Sequence, residues 1–364
     1  MALSYFPFFF CSLLILLLPS VSLAEALPSP YVSPSTFLRD FPRMLRDLRI
    51  FAYGAPAGNS SGFRSSSPAA LFHASLFRSA FLTPDPEEAH LFYLSFPGAP
   101  GPRSIARSVR AIRSDLPFWN RTLGADHFHF SEDGIGDSSD RNLVELRKNS
   151  VQISPFPAVP GRFIPHKDLT LPSPVSDSPL RFMEESSFQF LAFYDGVAVD
   201  PQVSAVLEEL RRDPKILIQP RRMDPTERAQ VMSASRFCLF FYGAELDPPL
   251  GEALASGCVP VVVSGRPILD LPFGDVLRWS EMALFVGLHG GAGEVRRAME
   301  RACGERYPRM RVAAAEASAH FRWRSAAHQP PLDAFHTVLY QLWLRRHTVR
   351  YARWGASKFV RSDG

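Results

Sequence analysis

Two kinds of hydrophobic pattern alternate along this chain. Short unbroken apolar runs, each ended by glycine or a polar residue, read as strands buried on both faces, and segments with apolar positions three and four apart read as helices. Strands are predicted at 48–53, 90–96, 125–130, 151–153, 188–194, 215–219, 237–242, 259–263 and 282–286, with a short one inside 162–171. Helices are predicted at 37–48, 69–78, 105–116, 144–148, 203–212, 225–234, 294–303 and 333–350. Strands alternating with helices in both halves predict an α/β protein with parallel sheets and no internal repeat.

The sharpest pattern is FCLFFYGAELDPPLGEALASGCVPVVVSG at 237–265. It reads as strand, loop, short helix and second strand, a right-handed βαβ unit. Asp247 suits the helix cap, Pro248 the first helical position and Gly257 the end. Ligands of open parallel sheets bind beyond the carboxyl ends of the strands. Glu252, one turn into this helix, stands where a carboxylate holds sugar hydroxyls, as a nucleotide-sugar site requires. Gly243 and Gly251 permit close approach of backbone to ligand, and Glu245 lies in the loop itself.

At 364 residues the chain holds two ordinary domains. The predicted division is a leader at 1–27, a linker at 28–47, a first domain at 48–180, a second at 181–330, and a C-terminal helix and tail at 331–364. The Pro/Ser stretch 172–181 marks the boundary. The 33 prolines call for long irregular connections, and a net charge of +4 is modest. No basic stripe is interleaved with aromatics and no zinc spacing occurs, so nucleic acid is excluded as a partner. No apolar-flanked Asp-x-Asp is present to hold manganese, and no metal or cofactor is expected.

The leader carries an apolar run, Phe8 to Leu18, and Ser22-Leu23-Ala24 makes a signal-peptidase site. The stretch from Tyr5 to Leu27 also has the length of a membrane anchor, since about 20 apolar residues span a bilayer. Both readings put the rest of the chain in the secretory lumen, in agreement with glycosylation sequons at Asn59 and Asn120. Cys238, Cys258 and Cys303 follow the leader. An odd count allows one disulfide at most, and a Cys238–Cys258 bridge or buried thiols fit equally.

Eight segments resemble, in order, the exostosin family of glycosyltransferases in its plant, cell-wall-related branch. They are PDPEEAHLFYLSF (84–96), WNRTLGADHFHF (119–130), LVELRKNSVQIS (143–154), FIPHKDLTLP (163–172), SRFCLFFYG (235–243), GEALASGCVPVVVS (251–264), DLPFGDVLRWSEMALFV (270–286) and LDAFHTVLYQLWLRRHTVRY (332–351). The resemblance covers about residues 45 to 352. It implies two Rossmann-like domains facing across a cleft (the GT-B arrangement), the first on the acceptor side and the second binding the nucleotide sugar. It implies a type II Golgi membrane protein held through its N-terminus. The implied reaction is inverting transfer of a sugar from a nucleotide-diphosphate donor to a polysaccharide or glycoprotein acceptor.

Inverting transfer needs a base for the acceptor hydroxyl and positive groups for the leaving diphosphate. Asp126 and His127, read as the end of a first-domain strand, are the base candidates, with Glu132 and Asp133 on the next loop as rivals. Arg266 is the phosphate candidate of the donor site, with Arg221 and Arg222 behind it. Three positions depart from the family pattern. SEDGIGDSS replaces a His-Asp-Trp segment after the ADHF strand, DPPLGE replaces a Ser-Ala-Arg segment, and Gly265 replaces an Asp or Asn. They support an alternative function, a catalytically silent member that binds a glycan or a partner glycosyltransferase. A secreted hydrolase would need two acids across a cleft, and nothing in the sequence singles out such a pair.

Overall fold

The computed structural model describes residues 29–54, 67–96, 100–175, 187–243, 249–323 and 332–359, with side chains in the last segment described as far as Arg346. The leader, Asn59, Glu245, Asp247 and Pro248 lie outside the described residues. Among the described residues no helix is long and apolar enough to cross a membrane.

The first sheet consists of β1 (Ile50–Ala52), β2 (Leu91–Leu94), β3 (His127–Phe130), β4 (Val151–Pro155) and β5 (Leu169–Leu171). All pair in parallel and lie in chain order. Around them run α1 (Pro34–Asp47), α2 (Pro68–Phe77), α3 (Pro102–Asp115), α4 (Phe118–Thr122) and α5 (Arg141–Asn149). The period-two pleat sorts the aromatics into two layers. Tyr93, Phe128 and Phe130 pack on Phe72 of α2, while Phe92 and Leu94 share the other layer with Phe118 and Trp119 of α4.

The second sheet consists of β6 (Phe190–Asp195), β7 (Ile216–Gln219), β8 (Ser235–Phe241), β9 (Val259–Ser264) and β10 (Leu284–Gly287). Its helices are α6 (Pro201–Leu210), α7 (Pro225–Ser233), α8 (Leu250–Ser256), α9 (Gly291–Ala302) and α10 (Arg306–Ala317), and α11 (Ala334–Phe359) ends the described chain. The strand order is β7-β6-β8-β9-β10, all parallel. The chain winds one way from β6 and the other way from β8, so a topological switch point lies between these two strands. The first sheet, running in chain order, has no such point among its described strands.

Several local expectations change in the fold. The helix α8 begins at Leu250 behind a cap position held by Pro249, which offers no side-chain acceptor, and the residues expected at its start, Asp247 and Pro248, lie outside the described residues. Gly257 does end this helix, in the left-handed conformation at φ 72°. The sequence reading missed α10, whose arginines obscure a face of Ala313, Ala314 and Ala317 packed toward α8. Cys238 and Cys258 form a disulfide, and Cys303 is a half-buried free thiol.

Helix α11 returns to the first domain, where Phe335 meets Phe72 at 5.3 Å and Arg345 Nε donates to the Lys167 carbonyl. One continuous apolar core therefore draws on residues of both sheets.

Candidate functional site

Three groups of side chains stand beyond the carboxyl ends of the strands, two at the second sheet and one at the first. At the switch point, β6 ends in Asp195, a buried carboxylate whose Oδ2 accepts the Met223 amide at 3.0 Å. Arg228 of α7 reaches the same oxygen with Nη1 at 3.7 Å. Its other nitrogens form a fork on Glu252 of α8, with Nε to Oε2 at 2.8 Å and Nη2 to Oε1 at 3.0 Å. Arg228 and Asp195 are buried, whereas the Glu252 side chain keeps 27% of its surface. Burial pushes the Asp195 carboxyl above the usual range, while the Met223 amide and Arg228 oppose that rise.

The second group follows β8. Gly243, at φ 85°, turns the chain in a conformation that suits glycine. Arg266 lies beside it, its guanidinium 5.1 Å from the centre of the Tyr242 ring and its side chain exposed. The Tyr242 hydroxyl donates to Asp270 Oδ1 at 2.6 Å.

The third group lies in the first domain, beyond the carboxyl ends of β2, β3 and β4. A cavity of about 710 Å³ there is lined by Phe96, Phe130, Ser131, Glu132, Asp133, Ile135 and Arg162, among others. Glu132 and Asp133 are exposed, and Arg162 Nη1 donates to the backbone carbonyl of Asp133. Its size and mixed lining suit a small ligand or a short segment of a larger one.

Asp126 and His127 are elsewhere. They stand at the start of β3, at the opposite edge of the sheet from this cavity, and both are fully buried. Asp126 Oδ1 accepts from the Thr122 hydroxyl at 2.5 Å and bonds His127 Nδ1 at 2.8 Å, and Arg121 lies 3.5 Å from Oδ2. His127 Nε2 meets the Tyr53 hydroxyl at 2.9 Å, and its ring stacks on Tyr53 and Phe92. Asp126 and His127 stand at the amino end of β3, whereas ligands of a parallel sheet meet the carboxyl ends of its strands, so the expectation that they face the site is corrected. A hydrogen-bonded pair sealed between aromatic rings holds structure together and reaches no acceptor.

Gly251 also changes meaning. A Cβ at this position would meet Val175 Cγ2 at 2.4 Å and Phe321 Cβ at 3.0 Å, so the missing side chain serves helix packing rather than a ligand. Asn120 is exposed on α4, and its amide donates to the Arg113 carbonyl at 3.2 Å. Arg221 and Arg222 are exposed on the loop before α7. Among the described residues no group of three or more histidines, cysteines and acids could hold a metal ion.

The residues missed by the sequence reading are Asp195, Arg228, Tyr242 and Asp270. For Arg228 the available signal was weak: one arginine among the polar residues of a short helix looks like surface charge until the fold buries it.

The Exostosin GT47 domain model matches residues 44–289, more than half of the chain. The chain belongs to the exostosin GT47 glycosyltransferase family. Within it, the chain is 27% identical over 348 residues to the Probable glycosyltransferase At5g03795 of Arabidopsis thaliana, covering 88% of this chain and 66% of that protein. It is 28% identical over 294 residues to the Probable glycosyltransferase At3g07620 of the same plant, covering 74% and 61%. It is 29% identical over 295 residues to the Probable beta-1,4-xylosyltransferase IRX10 of Arabidopsis thaliana, covering 66% and 68%. The first two matches thus span less than two thirds of those relatives' lengths. Among solved structures, AviGT4, a glycosyltransferase involved in avilamycin A biosynthesis, aligns over 85% of this GT47 chain at 13% identity and a TM-score of 0.37, too distant to bear on the site. The expectation of two parallel-sheet domains holds in this member of the family.

Proposed function

We propose that this chain transfers a sugar, with inversion, from a nucleotide-diphosphate donor to a hydroxyl of a cell-wall polysaccharide or glycoprotein in the secretory pathway. The observation that carries this reading is the switch-point cluster, in which a partly exposed carboxylate, Glu252, is mounted on a buried arginine at the carboxyl ends of β6 and β8. Relatives named as a xylosyltransferase and as a Probable glucuronosyltransferase of Oryza sativa subsp. japonica support a nucleotide sugar as donor.

In this reading the second domain binds the donor, with Glu252 on the ribose hydroxyls and Arg266 near the diphosphate. The first-domain cavity takes the acceptor. As the acceptor oxygen attacks the anomeric carbon, its proton passes to a carboxylate of the 132–133 loop. The bond from that carbon to the diphosphate oxygen breaks, and the nucleoside diphosphate leaves with the electron pair. The leader serves as a Golgi anchor of type II topology or is removed as a signal peptide, and Asn59 and Asn120 carry glycans.

Burial of Asp126 and His127 favours a second reading, a silent member that binds a glycan or another transferase, because it removes the first candidates for a base. One experiment separates the two. The full chain is titrated with UDP and GDP and then assayed with their sugar conjugates against xylan, pectin and glycoprotein acceptors. Binding with transfer supports the enzyme, binding without transfer supports the silent member, and absence of nucleotide binding overturns the donor-site reading.

A further inference from the structure

The switch-point cluster contains more order than one sugar-binding carboxylate needs. Arg228 is buried, yet two of its nitrogens fork onto a carboxylate that is itself partly open to solvent. A buried guanidinium must be neutralised, and Asp195 alone would do so from 3.7 Å. The two short parallel bonds to Glu252 do something different, because bidentate pairing fixes the plane of a carboxylate as well as its position. An ionised carboxylate has about four acceptor sites. The fork takes up an acceptor site on each oxygen, while the Glu252 side chain keeps 27% of its surface open to solvent.

The buried side of Arg228 is tied to a different element. Asp195 Oδ2 faces Arg228 and also accepts the Met223 amide, on the loop that connects β7 to α7 and carries Arg221 and Arg222. The arginine therefore links the ends of both strands that flank the switch point. Asp195 follows from β6, Glu252 stands on the helix after β8, and Arg228 joins them from the helix between.

We propose that Arg228 is the positioning residue of the donor site, holding the Glu252 carboxylate in the one plane from which its free lone pairs receive the two hydroxyls of a ribose. The inference rests on the donor-site reading above and deepens it: the ligand recognised here is a vicinal diol, and the recognition depends on the fork rather than on charge alone. Arg228 touches no reacting atom. Its effect appears as selectivity for the diol and in the KM for donor, not in the chemical step.

The test uses the full chain and four probes, UDP, GDP and the 2′,3′-dideoxy form of each, titrated calorimetrically. A charge-assisted hydrogen bond contributes about 1.5–3 kcal/mol, which is about 10- to 150-fold in affinity, so wild type is expected to prefer the diol by that order. Arg228→Lys keeps the charge but cannot form a fork, and its preference for the diol is expected to fall about tenfold. Glu252→Gln should lose the preference to a similar extent, and Arg228→Lys combined with Glu252→Gln should add little. Circular dichroism reports whether the lysine variant folds, and Glu252→Gln, which leaves Arg228 in place, tests the same fork independently.

Two results would overturn the positioning role while leaving the donor site intact. One is an Arg228→Lys protein with lowered thermal stability but an unchanged ratio of diol to dideoxy affinity. The other is additive losses in the double variant. A wild type that binds nucleotide without preferring the diol refutes the diol assignment, and a wild type that binds neither nucleotide refutes the donor-site reading along with it.

Discussion

Asp270 accepts a hydrogen bond from the Tyr242 hydroxyl at 2.6 Å on one carboxylate oxygen, while the other accepts the Ala158 amide at 2.7 Å. Tyr242 follows β8 of the second sheet, and Ala158 lies between β4 and β5 of the first. Thr170 adds a third link by donating to the Asp270 carbonyl at 2.5 Å. One buried carboxylate thus joins the two domains beside the Gly243 turn. Burial and Asp270 together raise the Tyr242 phenol well above its ordinary range, so the hydroxyl remains a donor at any physiological pH.

Removing this carboxylate should loosen the seam. Asp270→Ala leaves the Ala158 amide buried without its partner, at a cost of about 1–3 kcal/mol for each such group. Asp270→Asn, which retains one acceptor oxygen, should cost less. Guanidinium denaturation of the two variants checks the order. Equal midpoints for Asp270→Ala and wild type would show that the seam does not depend on this residue.

The base should lie on the loop that follows β3. Glu132→Gln or Asp133→Asn is expected to lower turnover by about 10²–10⁴, the usual worth of general-base catalysis, with nucleotide binding retained. Asp126→Asn disturbs a sealed network of Thr122, His127 and Arg121 and should act on the melting temperature instead. A folded Asp126→Asn protein that binds donor but has lost turnover would return the base to the buried pair.

Acid should destabilise the fold through two buried histidines. Burial lowers His129 to about 3 and His320 to about 4, against about 6.5 in an unfolded chain. Below about pH 6.5 the unfolded chain takes up protons that the folded one refuses. The stability is present above that pH and is lost as pH falls, by about 1 kcal/mol for each histidine between about pH 6.5 and 5.5. Asp168 and Asp195, raised by burial, act with the opposite sign, so the histidine contribution is read by comparing variants across a window of about pH 6.5 to 5.5. Urea midpoints across that window should fall, and His320→Gln should flatten the slope while lowering the midpoint at pH 7.5, because His320 bridges Tyr31 and Thr337.

Gly251 and Gly265 should respond oppositely to one methyl group. Gly251→Ala drives a Cβ into Val175 and Phe321, and overpacking of this kind costs about 1–3 kcal/mol. At Gly265 the nearest atom is a Leu288 side-chain carbon at 3.8 Å, so alanine should be tolerated. Thermal melts of the two variants provide the comparison, and equal melting temperatures would contradict the packing role of Gly251.

Much of the architecture was already determined by local pattern. Unbroken apolar runs such as 237–242 and 259–263 admit few alternatives to buried parallel strands, and the glycine at 257 ends its helix as its φ requires. Glu252 was legible for the same reason, because a short helix between two such strands places its first turn at the carboxyl ends of the sheet. The burial of a side chain at a strand end, and the far partner of a charge, depend on contacts between residues distant in sequence. Asp126 opens the ADHFHF segment with Ala125, and only packing against Thr122, Tyr53 and Phe92 buries it and His127 away from the site. Arg228 and Glu252 lie 24 positions apart, and Asp270 meets Ala158 across 112. No local propensity encodes such meetings. They arise because burying a charge or an amide requires a partner, and packing two sheets into one core decides which partner is within reach.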